Sequence, residues 1–237
     1  MSTKRPLFLT LLVLFALCSL SGLVWNSNSL YGRQSSPRTA NSTIEIVDQI
    51  HGENATKIRF RNASNKSINA LQISVDGSVF MVEFLDADEP NRKLKPGGIY
   101  EEWFSTATHN DLDVSVLAVV FEDQTGVGDE RMVEEVLETR RGVKKQLMRF
   151  GVELRAALAS QNVDAMILDK LNAKLDSPLE DDPTDSGGVR LGQRKARQQI
   201  RHDLDAIKRL STKPDFDIRN GLITIQRQHT QRIAEIQ

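Results

Sequence analysis

The hydrophobic period of the sequence changes once, near residue 126, and this change constrains the fold more than any other feature. Before it, apolar residues occur in short runs between turns, and residues 57–61 alternate charged and apolar side chains, which is typical of a half-buried strand. After it, apolar residues recur at the spacing of one helix face. We therefore predict an α+β chain with a β domain at residues 43–126 and a helical region at residues 127–237.

Six strand-like runs lie in the first part, separated by turn residues such as Asp76 and Gly77, a pair typical of hairpins. Their short spacing predicts an antiparallel β-sandwich of about six or seven strands. The nearly continuous apolar run at 116–121 predicts a central strand, and residues 123–129 predict a turn. The six runs are 44–47, 57–61, 68–75, 79–85, 99–105 and 114–122.

The apolar spacing of residues 127–237 predicts about four helices. Val136, Val143 and Phe150 recur every seven residues, so an apolar stripe at residues 136–157 runs along a long first helix. This stripe is also a candidate surface for self-association of two copies. The predicted N-caps are Asp129 for the first helix and Asn162 for the second. An acidic loop at 177–188 precedes a third helix at about 189–211, and a fourth runs from about 217 to the end.

Residues 1–25 have the composition of a targeting segment. Lys4 and Arg5 precede nineteen residues without a charge, 7–25, which is the pattern that the secretory machinery recognises. Two interpretations stay open: a cleaved signal peptide, or a signal anchor in which residues 7–25 span the membrane, since nineteen helical residues reach about 28 Å. Both place the rest of the chain outside the cytoplasm, as a periplasmic, secreted or membrane-anchored protein. Residues 26–42, rich in Asn and Ser, predict a flexible tether.

The turns of the β region resemble those of a known class of domain. A polar turn at 62–67 lies between two strands, Pro96, Gly97 and Gly98 form a later turn, and residues 119–123 are followed by Gly126. This pattern resembles small β-sandwich domains of bacterial extracytoplasmic proteins and covers roughly residues 43–130. The resemblance implies an immunoglobulin-like envelope protein, and it implies no catalytic residue.

No motif predicts a catalytic residue or a cofactor. The phosphate-loop, nucleophile-elbow and zinc-protease patterns are absent from the sequence. The stretch 126–128 follows a strand, as a phosphate loop does, but it lacks the third glycine and precedes two acids. The single cysteine, Cys18, excludes a disulfide framework and a cysteine-rich zinc site. The catalytic residues are therefore unknown, and no cofactor is predicted.

Acidic residues and histidines, which often bind metal ions, also predict no metal site. Acidic clusters at 86–89 and 123–129 lack the ligand spacing of a calcium-binding EF-hand loop, so we predict solvated turns there. Histidines lack metal-ligand spacing and are predicted at the surface. They are His51, His109, His202 and His229.

The net charge of -1 hides an uneven distribution. Residues 43–126 carry seven bases and fourteen acids, whereas residues 127–237 carry twenty bases and eighteen acids. Basic runs at 140–149 and 190–201 have acids nearby and are predicted to be solvated helix faces. The overall balance therefore gives no support for a nucleic-acid-binding protein.

These observations favour a non-enzymatic extracytoplasmic envelope protein that serves as a protein-binding or structural module. We expect an envelope protein as its partner, and contact with the membrane through residues 7–25 if the leader is not cleaved. The alternative is an envelope hydrolase with a non-motif active site in the groove between sheet and helices.

Overall fold

The computed structural model describes residues 42–52, 54–84, 93–105, 112–176 and 184–236. Within them the chain is α+β, with seven strands in two antiparallel sheets followed by four helices. The predicted leader, all but the last residue of the predicted tether, and more than half of the predicted loop at 177–188 lie outside these residues. None of the helices described is both long enough and apolar enough to cross a membrane.

The strands form a three-stranded sheet in the order β1-β2-β5 and a four-stranded sheet in the order β4-β3-β6-β7. Their bounds are β1 (Ile44–His51), β2 (Ala55–Asn62), β3 (Ile68–Val75), β4 (Ser78–Glu83), β5 (Ile99–Ser105), β6 (Val114–Phe121) and β7 (Gly126–Gly128).

The two sheets face each other across one apolar core, in agreement with the predicted β-sandwich. Ile58 and Phe60 of β2 are fully buried and share this core with Leu71 and Ile73 of β3. Burial of each such side chain contributes about 1.5–3 kcal/mol to folding. The predicted central strand at 116–121 is confirmed, because β6 lies between β3 and β7.

Two local features differ from the sequence-based expectation. Residues 126–128, predicted as part of a turn, form β7, which pairs with β6 through Val119 and Val127. The alternation of β3 is also interrupted by a register shift between Ile68 and Ala70. Ile68 therefore packs in the core between the sheets, whereas Ala70 packs with Val136 on the opposite side.

The helices are α1 (Glu130–Ala159), α2 (Ala165–Asp176), α3 (Gly187–Leu210) and α4 (Ile218–Glu235). The predicted cap Asp129 is confirmed, because its carboxylate accepts hydrogen bonds from the backbone amides of Arg131 and Met132. The predicted cap of α2, Asn162, is wrong. Oδ1 of Asp164 accepts instead from the amides of Met166 and Ile167.

Helix α1 belongs to two cores. Its thirty residues reach about 45 Å, so its first half can pack on one sheet face while its second half packs on other helices. Val136 contacts Ala70 and Val120 of the four-stranded sheet. Phe150 and Leu154 lie in a separate helical core that includes residues of α2, α3 and α4.

The apolar stripe at 136–157 is therefore largely inside the chain. Val136, Val143 and Phe150 are each at most 2% exposed. Self-association through these side chains would require the chain to give up its own core, so an interface between copies would have to use other residues.

Candidate functional site

The three-stranded sheet has one face in the core and one face in solvent. In β2, Thr56, Ile58 and Phe60 are buried, and the side chains between them point the other way because a strand alternates. The registers of β1 and β5 against β2 extend this alternation across the sheet. We name the solvent side the outer face; it consists of Glu45, Asp48, Ile50, Lys57, Arg59, Arg61, Ile99, Glu101 and Trp103.

Charges alternate across the outer face from strand to strand. Arg59 of β2 lies 3.1 Å from Asp48 of β1 and 3.1 Å from Glu101 of β5. Lys57, also on β2, pairs with the same Glu101 at 3.1 Å. The order is thus acid on β1, base on β2 and acid on β5. All these side chains are partly solvated, so each pair contributes less than about 1 kcal/mol, and their main effect is to define an electrostatic pattern.

Large apolar side chains stand exposed beside these charges. Trp103 is 55% exposed, Ile99 48% and Ile50 42%. Lys57 lies between Ile50 and Trp103 in the strand register, and its Nζ is 5.3 Å from the centroid of the Trp103 ring. Single exposed apolar residues are common, but apolar side chains concentrated on one sheet face are typical of interaction surfaces.

The four-stranded sheet offers no comparable surface. Leu71 and Val119 face the core between the sheets, and Ala70 and Val120 contact Val136 of α1 on the other side. In the parts of the chain that the structure describes, the outer face is therefore the sheet surface without a covering layer.

The edges of the three-stranded sheet differ from each other. β1 has a register shift between Ile46 and Asp48, with Val47 39% exposed at the bulge. Bulges of this kind disfavour the addition of another strand. β5 pairs with β2 from Ile99 to Ser105 in continuous register, without a bulge.

A second polar cluster joins the four-stranded sheet to the helices. Nη2 of Arg140 on α1 donates to the backbone oxygen of Asn69 on β3 at 2.8 Å. Glu83 of β4 lies between two guanidinium groups, 3.9 Å from Arg140 and 3.3 Å from Arg232 of α4. Burial lowers the pKa values of Arg140 and of nearby Lys195, and Glu83 opposes both shifts. These groups hold the sheet and the helices together. Arg140 itself is buried and is not accessible to a ligand in solvent.

A third polar contact joins buried His229 of α4 to half-buried Asp203 of α3. Nε2 of His229 lies 4.0 Å from Oδ2 of Asp203. Burial raises the pKa of Asp203 to about 6 and lowers the pKa of His229 to about 4. Burial thus favours the neutral form of both groups and disfavours an ion pair between them.

A cleft of about 210 Å³ opens next to His229, between α1 and α4. Met148, Leu154 and Ile233 give it a mainly apolar lining, and Arg155 lies at the same cleft. Both ring nitrogens of His229 are buried, so they do not face a ligand in the cleft.

The predicted histidine positions are partly wrong. His229, expected at the surface, is 7% exposed and stacks edge-on against Phe150. His202 is exposed as predicted, and Nδ1 of His51 is hydrogen-bonded with Thr56 at 3.1 Å. His109 lies outside the described residues.

The acidic clusters behave as solvated turns where the structure describes them. Hydrogen bonds from Lys66 and Thr125 hold the pKa of Asp123 at about 2. The cluster at 86–89 lies outside the described residues. Among the residues that the structure covers, no three His, Cys, Asp or Glu side chains are grouped to hold a metal ion.

The two basic runs are not uniform solvated faces. Arg140 is 4% exposed, and Arg197 donates to the backbone oxygen of Leu175 at the end of α2. Other members, such as Arg201 with Asp176, form exposed ion pairs. Many side chains of these two runs are thus buried or form hydrogen bonds and ion pairs with other residues of the chain.

The outer face with its β5 edge is therefore the candidate functional site. Seven of its nine residues lie in predicted strands, whereas Asp48 and Ile50 lie beyond the predicted run at 44–47, which β1 extends to His51. The arrangement of these residues as one surface required the strand order. Comparison of the chain with protein-family models, with curated proteins and with solved structures finds no match.

Proposed function

We propose that this chain is a non-enzymatic protein of the cell envelope that binds another envelope protein through the outer face. The single observation that carries this proposal is the exposure of Trp103, Ile99 and Ile50 on a sheet whose opposite face packs in the core. Tryptophan is enriched at the centres of protein interfaces because it combines a large apolar area with few rotatable bonds.

The extracytoplasmic location is part of the same proposal. Its support is the sequence of residues 1–25, with Lys4 and Arg5 before an uncharged stretch. The resemblance of the β region to immunoglobulin-like envelope domains agrees with this location, and such domains commonly serve as binding modules.

The hydrolase alternative has weaker support. It requires a polar pocket in the groove between sheet and helices, where the side chains that meet are Glu83, Arg140 and Arg232. Arg140 is 4% exposed, and the carboxylate of Glu83 is held between the two guanidinium groups, so this arrangement joins the two layers.

Site-specific photo-crosslinking in the producing cells tests the proposal. A photoreactive amino acid is placed at position 103 of the full-length chain, and separately at Met166, which is 63% exposed on α2. We expect one protein to be captured from position 103 and not from position 166. That protein, once purified, should bind the full-length chain about tenfold less tightly when Trp103→Ala is present. Identical capture from both positions, or unchanged affinity of the variant, would overturn the proposal.

A further inference from the structure

The β5 edge differs from every other strand edge of the described sheets in combining regular geometry with an exposed neighbouring surface. β2 lies on one side of β5, and the described sheet has no strand on the other side. Seven residues of β5 stay in continuous register with β2. Regular, bulge-free edge strands accept a further strand through backbone hydrogen bonds.

The charge pattern of the outer face indicates what that strand should carry. Asp48 on β1, Arg59 on β2 and Glu101 on β5 form a continuous acid–base–acid row. Opposite charges on directly facing residues stabilise a strand pair, and like charges destabilise it. The next position in the row, opposite Glu101, therefore favours a lysine or arginine.

The same row argues against a second copy of this chain as the occupant. Antiparallel pairing of β5 with its copy, centred on the strand, places Glu102 against Glu102 of the other copy. A shift toward Ile99 by one residue places Glu101 against Glu102, and a shift by two residues places Glu101 against itself. The centred register and these two neighbouring registers thus oppose carboxylates, which is unfavourable.

Apolar side chains flank the acidic position on the same face. Ile99 and Trp103 lie two residues before and two residues after Glu101, so all three point to the same side of β5. A strand added to this edge would place one apolar residue near each of them.

We propose that β5 accepts an extended segment of a partner protein as a fourth strand of the outer sheet. The segment carries a lysine or arginine opposite Glu101 and apolar residues two positions away on either side. This inference rests on the proposed function, since it names the chemistry of the partner that the outer face binds.

Synthetic heptapeptides test the charge rule on the full-length chain. Each probe has threonine at positions one, three, five and seven and valine at positions two and six. Position four is lysine, alanine or glutamate. Isothermal titration calorimetry should show the lysine peptide binding about tenfold more tightly than the glutamate peptide. Glu101→Lys should reverse this order. Equal affinities for the lysine and glutamate peptides, or no reversal in the variant, would overturn the inference.

N-methylation of the lysine peptide tests the strand geometry. Alternate backbone amides of an added strand face β5, and the others face solvent. Methylation of one alternate set should abolish binding, and methylation of the other set should leave the affinity within about twofold. An equal loss from both sets would show that the peptide does not pair as a strand and would contradict the inference.

The remaining occupants give different results. A dimer that is detected by light scattering and disrupted by Glu102→Arg would show that β5 pairs with its own copy. A peptide that binds only after removal of residues 1–41 would show that the chain covers its own edge. Either result overturns the inference. If crosslinking from position 103 captures a partner but the peptides do not bind, the inference fails while the proposed function stands.

Discussion

Arg140 of α1 reaches the backbone oxygen of Asn69 of β3 at 2.8 Å, across the boundary between helices and sheet. Its guanidinium is almost fully buried, and Glu83 is the carboxylate next to it. Glu83 also contacts Arg232 of α4. One acidic side chain of an edge strand thus compensates two cations from two different helices, which makes it important for the docking of the helical region on the sheet.

Replacement of Glu83 should therefore destabilise the protein. Glu83→Gln keeps the size of the side chain but leaves Arg140 buried without a counter-charge, and an uncompensated buried charge is costly. We expect a loss of about 2 kcal/mol in the free energy of unfolding, measured by denaturant titration of the full-length chain.

Glu134→Gln is the matched control. Glu134 pairs with Arg141, and both side chains are more than half exposed, so this change should cost less than about 0.5 kcal/mol. Equal losses from the two variants would show that Glu83 does not hold the junction.

The junction was missed in the sequence because Arg140 is charged, although it lies seven residues before Leu147 and therefore on the line of the apolar stripe. α1 is contacted by the sheet and by other helices on several sides, so Thr139, Arg140 and Gln146 are buried as well. Arg140 was predicted to lie in a solvated basic run, and the packing of the sheet on α1 shows instead that it is buried.

The close approach of α1 and α3 depends on glycine. A Cβ added at Gly192 would lie 1.9 Å from the backbone oxygen of Thr139, and one added at Gly142 would lie 2.0 Å from that of Val189. Gly192→Ala should therefore push the two helices apart and cost about 1–3 kcal/mol. Thermal unfolding of the full-length chain measures the loss.

Gly151→Ala on α1 provides the contrast. The nearest atom to a Cβ at this position is Nη1 of Arg155, at 3.7 Å, so alanine fits and improves helix propensity by about 0.5–1 kcal/mol. A stabilising Gly192→Ala would show that the helices are not in contact at that point.

The start of α2 offers a test of capping. Oδ1 of Asp164 accepts hydrogen bonds from two backbone amides, those of Met166 and Ile167. Asp164→Ala should cost about 1 kcal/mol of stability. Asn162→Ala should leave the free energy of unfolding unchanged within error, and the reverse order of the two variants would restore Asn162 as the cap.

Strands were more predictable than their arrangement. Alternation identified β2, because this strand has one face in the core and one in solvent, and the turn at 96–98 marked the start of β5. In β3, alternation placed Leu71 and Ile73 on one face as the structure has them, but not Ile68, because the register shift there moves that residue to the core side. The outer face likewise depends on which strands are neighbours. Glu101 meets Arg59 through strand pairing over a separation of 42 positions in the chain, which no local pattern encodes.

Asp203 and His229 should give opposite pH dependences. Burial raises the pKa of Asp203 from 3.8 to about 6, so the folded state holds this proton more tightly than the unfolded state. The associated stabilisation is complete below pH 3.8 and is lost as the pH rises through about 6. Burial lowers the pKa of His229 from 6.5 to about 4, so its stabilisation is complete above pH 6.5 and is lost as the pH falls through about 4.

Asp203→Asn removes the buried ionised carboxylate while the side chain can still accept the hydrogen bond from Gln199. Relative to the unmodified chain, this variant should gain stability as the pH rises from about 4 to 7, by about 2 kcal/mol. His229→Leu should show the reverse slope, gaining relative stability as the pH falls over the same interval. Urea titrations at a series of pH values measure both differences, and parallel pH profiles for the two variants would show that these groups do not titrate in the folded core as described.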